Sequence, residues 1–161
     1  PDVVEDGKTF EENSQKKAKE IADYTNIVTV SDDSGLCVDA LDGGPGVYSA
    51  RFGGENTSDS EKNQKMLEIL KEVKKEDRKA HFVSVVSIAF PNGEIYSFRG
   101  EIEGEILFEA QGNNGFGYNP IFYSYELGKS FGQASDEERK SVSHRARAFR
   151  KLIASGLLEE K

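Results

Sequence analysis

Asp32 and Asp33 are adjacent carboxylates in Ser31-Asp32-Asp33-Ser34-Gly35-Leu36, a polar run that directly follows the short apolar stretch 27–30. Two like charges side by side are costly unless a cation or hydrogen-bond donors offset their repulsion. Hard oxygen donors suit Mg²⁺, which takes one or two carboxylates together with water and substrate phosphates. The same run also reads as a polar turn, with Asp and Ser present for their hydrogen bonds to nearby backbone, and taken alone it favours the turn. Glu5 would add a second carboxylate and Lys17 a point charge for a phosphate, provided folding brings them there. By spacing alone both read as solvated surface charges, Lys17 among Lys16, Lys19 and Glu20.

Gly115-Phe116-Gly117-Tyr118-Asn119-Pro120 sets aromatic faces in a glycine loop beside a carboxamide. Aromatic faces stack on nucleobases and amide edges supply directional hydrogen bonds. The segment suits equally well a turn whose rings plug the core. Ser143-His144-Arg145 places donors near a helix start, where backbone N–H groups also point outward, although such a tripeptide also serves as an ordinary capped helix turn. No nucleophile elbow is apparent, so His144 is not read as a triad base. His81 heads an apolar strand and reads as structural. Cys37 is the only cysteine, which excludes an intrachain disulfide and leaves it as a small core residue.

The elements that must position these residues follow from periodicity and caps. Thr9 and Glu12 form a capping box that opens a helix to about Tyr24. Residues 27–30 read as a buried strand, and the alternation of Leu36, Val38 and Ala40 as another, ending at Gly43-Gly44-Pro45-Gly46. Ser58 and Glu61 cap a helix with Met66, Leu67, Leu70 and Val73 as its apolar stripe. Strands over 80–90 and 94–106 are joined by Pro91-Asn92-Gly93 as a hairpin turn. Residues 112–118 form a loop. Ser135 and Glu138 open a final helix on which Val142, Ala146, Phe149 and Ile153 face one way, with Gly156 as its C-cap. The order helix, two strands, helix, hairpin, loop, helix predicts a mixed α/β fold around a partly antiparallel sheet.

With 161 residues, 36% hydrophobic and 31% charged, the chain reads as one globular domain. No apolar run approaches the ~20 residues that span a bilayer, and the first residues lack a signal-peptide pattern, so no membrane partner and a cytoplasmic location are expected. The net charge of −8 argues against a non-specific nucleic-acid binder. It leaves room for a small anion at a local cluster of Arg139, Lys140, Arg145, Arg147, Arg150 and Lys151.

Five segments, taken in order, resemble the inosine triphosphate pyrophosphatase (Ham1-like) family. They are residues 5–13 (Glu-Asp-Gly-Lys-Thr-Phe-Glu-Glu-Asn), residues 32–41 (Asp-Asp-Ser-Gly-Leu-Cys-Val-Asp-Ala-Leu), residues 45–52 (Pro-Gly-Val-Tyr-Ser-Ala-Arg-Phe), residues 115–122 (Gly-Phe-Gly-Tyr-Asn-Pro-Ile-Phe) and Ser143-His144-Arg145. One segment alone is a weak signal, whereas five in order over nearly the whole chain are specific. The resemblance implies an elongated, two-lobed α/β fold, its mixed sheet flanked by helices and holding a central cleft, usually as a homodimer. It implies Mg²⁺-dependent attack of water on the α-phosphorus of inosine, deoxyinosine or xanthosine triphosphate, yielding monophosphate and pyrophosphate. One Mg²⁺ per active site is implied, a role Mn²⁺ can also fill. On this resemblance Asp33 is the general base, Glu5 and Asp33 hold the metal, and Lys17 contacts phosphate. Asp32 and Ser34 line the same turn. Phe116 stacks on the purine, Gly117, Tyr118 and Asn119 shape its pocket, and His144 and Arg145 address the 6-keto edge.

This sequence departs from the family pattern in three places. It starts after the family's first strand, phosphate loop and helix, so a single pyrophosphatase domain truncated at its N-terminus is expected, lacking part of the triphosphate site. Asn119 stands where the family usually has Asp. Arg139 stands at the position of the family's base-contacting Lys, with Lys140 one residue later. Two other readings remain: a nucleotide-binding remnant without turnover, and a septum-inhibitor-like nucleotide pyrophosphatase with another base preference. The Phe116-Gly117-Tyr118 and Ser143-His144-Arg145 segments favour the first family over the latter.

Overall fold

The computed structural model describes residues 2–54 and 56–159. Thr9 Oγ1 accepts from the Glu12 amide at 3.0 Å and opens helix α1, Phe10–Thr25. The return arm of this cap is displaced by one residue, because Glu12 Oε2 accepts from the Lys8 amide at 2.8 Å instead of from Thr9. The boxes at Ser58 and Ser135 are complete, with both reciprocal bonds made, and open α2 (Asp59–Ile69) and α3 (Asp136–Ser141).

The expected final helix is two. Behind α3 the chain breaks at Val142 and restarts as α4, His144–Ala154. Ala148 and Leu152 are fully buried, whereas Phe149 is 41% and Ile153 64% exposed. A single 3.6-residue period cannot run through a break, so the buried stripe of α4 follows the restart rather than the 142/146/149/153 series. Gly156 does close the helix, with φ +78° and its amide on Ile153 O.

The two short strands expected around the Asp-Asp-Ser-Gly run are one. β1 extends unbroken over Thr29–Val38, so these residues lie in a strand and not in a turn. Its buried end is Gly35–Val38, and Ala40 falls beyond it in an exposed 3₁₀ turn, Asp39–Leu41. Ile27 and Val28 stand 64% and 43% exposed, so the apolar stretch that reads as a buried strand is uncovered among the described residues. Apolar type alone does not say what lies opposite.

The sheet runs β2 (Gly44–Pro45), β1, β3 (Lys79–Ala89), β4 (Ile95–Ile106), β5 (Phe122–Ser124), β6 (Lys129–Ser130). β2 is antiparallel to Cys37 and Val38. β3 and β4 enclose the predicted turn, in which the Gly93 amide reaches Phe90 O and the Phe90 amide reaches Glu94 O, both at 2.9 Å. Gly93 sits at φ +97°, where a Cβ would be strained. β5 pairs antiparallel with Gly104–Ile106 and with β6.

The chain divides into two compact units. The first comprises the chain up to Ser34, Val83–Glu101 and the chain from His144 on, with Val86, Ile88, Ala148 and Leu152 buried together. The second comprises Gly35–Phe82 and Ile102–Ser143. Its core gathers Leu36, Met66, Leu70, Ile102, Phe122 and Phe131, with the Phe82 and Phe122 rings 4.5 Å apart. A fully buried Arg78 donates to the carbonyls of Leu70, Val73, Ile106 and Leu107, so its donors are matched by backbone acceptors. Among the described residues no helix is long and apolar enough to cross a membrane.

Candidate active site

Within the first unit the alternation of β1 separates the two carboxylates, because successive strand side chains point to opposite faces. Asp33 faces α1, where Asn13 Nδ2 donates to Asp33 Oδ2 at 3.2 Å, and Asn13 Oδ1 in turn accepts from the Gly7 amide at 2.8 Å. Asp32 faces the other way, its Oδ2 lying 3.5 Å from Arg145 Nε and 3.3 Å from Ser34 Oγ. Ser34 Oγ also lies 3.1 Å from Ser84 Oγ. Their opposite faces and separate partners, Asn13 and Arg145, reduce the repulsion that adjacent carboxylates imply.

Lys17 lies one helical turn beyond Asn13, on the same face of α1. Its ammonium donates to the backbone carbonyl of Asp32 and pairs with Glu5 Oε1 at 2.8 Å. The fold therefore brings Glu5, Lys17 and Asp33 together. α4 is held close by Gly100 on β4, where a Cβ would stand 2.2 Å from His144 O and 2.5 Å from Ala148 N. That contact sets His144 and Arg145 where Arg145 meets Asp32.

Burial raises the Asp33 carboxyl above its ordinary value. The Asn13 hydrogen bond and the Lys17 ammonium pull it back, and the like charge of Glu5 raises it further. A carboxylate with a raised pKa is a stronger base. His144 is pushed down to about 4, first by burial and then by Arg145, with Asp32 opposing. The imidazole is therefore neutral at neutral pH.

Glu5 and Asp33 are the groups suited to a divalent cation. Asp33 is destabilised as an anion both by burial and by Glu5, and a cation between them relieves both effects. Among the described residues no group of three or more His, Cys, Asp or Glu converges on a metal position. Two carboxylates are an incomplete shell for a dedicated protein cage but a suitable one for Mg²⁺, which draws its other oxygens from water and phosphate.

The second unit carries the glycine loop. Gly115 and Gly117 lie in the left-handed region at φ +74° and +62°, and between them the Phe116 ring stands 70% exposed. A Cβ on Gly115 would fall 2.2 Å from Asn119 Nδ2, so the Asn119 amide rests directly on the loop backbone. α2 reaches the loop through two side chains: Asp59 Oδ2 accepts from the Gly117 amide at 2.8 Å, and Asn63 Nδ2 donates to Gly117 O at 3.1 Å. Tyr118 is buried and its hydroxyl donates to Ser49 O at 2.6 Å. Burial, with Asp59 nearby, pushes that phenol well above its ordinary pKa. Tyr118 anchors the loop in the core, and Phe116 is the ring the loop presents.

Arg139, expected at the base, donates to Phe131 O at 3.1 Å and Ala134 O at 2.7 Å and pairs with Asp136. It braces the return of the loop, while Lys140 is exposed. The structure groups Phe116, Gly117, Tyr118, Asn119 and Arg139 in this unit, and His144 and Arg145 with Asp32 in the other. Sequence reasoning missed Asn13 as the partner of Asp33, although its spacing of four from Lys17 on a capped helix was a readable signal. It also missed Asp59 and Asn63, which look like an ordinary acidic first turn and a polar helix face.

The Ham1 family model matches residues 1–155. The chain is 48% identical over 155 residues to the dITP/XTP pyrophosphatase of Exiguobacterium sibiricum, covering 96% of this chain and 78% of the relative. It is 49% identical over 149 residues to that of Geobacter sulfurreducens, covering 92% and 75%. Among solved structures it resembles the Staphylococcus aureus Ham1 protein, with a TM-score of 0.92, 45% identity, and coverage of 99% and 82%. A HAM1 protein from Coxiella burnetii gives 0.91 at 39% identity, covering 96% and 80%.

Proposed function

Because the chain belongs to the Ham1 family, we propose that it hydrolyses non-canonical purine nucleoside triphosphates, of the deoxyinosine and xanthosine type, to monophosphate and pyrophosphate. Such an activity removes deaminated purines from the nucleotide pool. The observation that carries the reading is the convergence of Glu5, Lys17 and Asn13 on the half-buried Asp33.

Glu5 and Asp33 would hold Mg²⁺, which when bound supplies charge neutralisation for the polyphosphate. Asp33, its basicity raised by burial, orients a water and takes its proton as the water oxygen bonds to the α-phosphorus. The α–β bridging bond breaks and pyrophosphate leaves with the electron pair. Lys17 balances phosphate charge, exchanging its bonds to Glu5 and Asp32 O for phosphate oxygens. His144, neutral, and Arg145 act as hydrogen-bond donors to the nucleotide. The exposed Phe116 ring supplies an aromatic face of the kind on which a purine stacks, with the Asn119 amide near it on the same loop.

The test is pyrophosphate release from dITP, XTP, dATP and dGTP, with Mg²⁺ and with the ion chelated. Release that is Mg²⁺-dependent and at least tenfold faster for the first two substrates is expected. Equal rates on all four, or turnover that survives chelation, rejects the proposal.

A further inference from the structure

Phe116 is presented on a loop whose own preferences do not hold it. Glycines at 112, 115 and 117 all sit at positive φ, and each brings wide backbone freedom that folding must remove. The exposed ring contributes little packing of its own. Tyr118 anchors the loop on one side, and α2 fixes the two peptides of Gly117, next to Phe116. Asp59 accepts a hydrogen bond from the N–H of the peptide joining Phe116 to Gly117, and Asn63 donates one to the carbonyl of the peptide joining Gly117 to Tyr118. The two side chains are one helical turn apart on a capped helix that is rooted in the core by Met66 and by Leu70 at its C-cap. One rigid face thus offers an acceptor and a donor, matched to the two polar groups of Gly117.

Asn63 is only 5% exposed, and its buried Oδ1 accepts no hydrogen bond among the described residues. Burying an unanswered carbonyl oxygen destabilises a fold, so Oδ1 gives no reason for an amide here. The bond to Gly117 does. We infer that Asp59 and Asn63 are positioning residues that clamp Gly117 and thereby hold Phe116 ready for the purine, an inference that rests on the reading of Phe116 as the stacking face.

The test is steady-state kinetics with dITP on the full chain and on Asp59→Ala, Asp59→Asn, Asn63→Leu and Phe116→Ala, alongside competitive inhibition by tripolyphosphate, which has no base. Losing one such bond is expected to raise KM for dITP about fivefold in Asp59→Ala and in Asn63→Leu. kcat and the tripolyphosphate Ki should stay within about twofold, and Asp59→Asn, which keeps an oxygen acceptor, should recover most of the affinity. Asn63→Leu removes the unanswered oxygen but also leaves Gly117 O without its donor, so its melting temperature should stay close to the parent's. A raised KM in Phe116→Ala with none in the clamp variants overturns the clamp. No change in Phe116→Ala overturns the stacking reading itself. Parallel losses in kcat or in tripolyphosphate binding reduce both residues to general structure and also overturn the clamp. Should a variant fail to fold, hydrogen exchange at the Gly117 amide of the parent decides, and protection no greater than that of the 113–116 amides overturns it.

Discussion

Around Asp33 the side chains do the fixing: Asn13 holds the carboxylate, Lys17 ties Glu5 to the strand, and partial burial sets the basicity. Around Phe116 the backbone is fixed instead, by Asp59, Asn63 and the Tyr118 anchor, while the ring is left to solvent. The first arrangement stores its function in electrostatics, which burial amplifies. The second stores it in geometry, presenting an apolar face whose partner must come from outside. Changes in the first region should therefore act on the chemical step and respond to pH, and changes in the second should act on binding.

The largest expected effect is at Asp33. Asp33→Asn should lower kcat at least ~100-fold, the scale of a general base, with KM changing far less. Because the native carboxyl pKa is raised, the ionised group is disfavoured by folding at neutral pH, so the neutral amide should melt at the same temperature or higher. Near-parental turnover in a folded variant would remove Asp33 from the mechanism.

Next in size is the pH signature of His144. Its folded pKa, about 4, lies below the ordinary 6.5, so the unfolded chain binds the proton more readily between these values. The stability this neutral histidine contributes is full above about pH 6.5 and is lost progressively as pH falls toward 4. Urea titrations at pH 7.5 and 5 should show the parent losing up to about 2 kcal/mol more than His144→Gln. Equal losses would mean that burial does not hold the imidazole neutral.

Phe116→Ala should raise KM for dITP about tenfold, in the lower range of base–aromatic stacking, with kcat nearly unchanged and no pH dependence of its own. A fall in kcat without a change in KM would erase the contrast between the two regions.

The smallest effect is expected at Asn119, whose amide lies on Gly115. A carboxylate accepts the N1–H of a 6-keto purine with charge assistance that a carboxamide lacks. Asn119→Asp should therefore raise the ratio of kcat/KM for dITP over dATP several-fold, the worth of about 1 kcal/mol. A ratio that stays flat or falls would show that Asn119 does not read the base edge.

Much of this was legible residue by residue. The capping boxes at Ser58 and Ser135, the turn at Pro91-Asn92-Gly93 and the loop with its positive-φ glycines depend on neighbours within four positions, so the sequence by itself determined them. The ordered segments that resemble the Ham1 family likewise named Glu5, Lys17 and Asp33 before any geometry. What tertiary structure alone decided was the environment of those residues. Pairing within the sheet drew Ser31-Asp32-Asp33-Ser34 into one strand, and the alternation of that strand sent the two carboxylates to different helices. Packing against β4 selected Ala148 and Leu152 as the buried stripe of α4, and loop carbonyls engaged Arg139. The shifts at Asp33 and His144 belong to the same class, because desolvation and charge act through space between groups far apart in the chain.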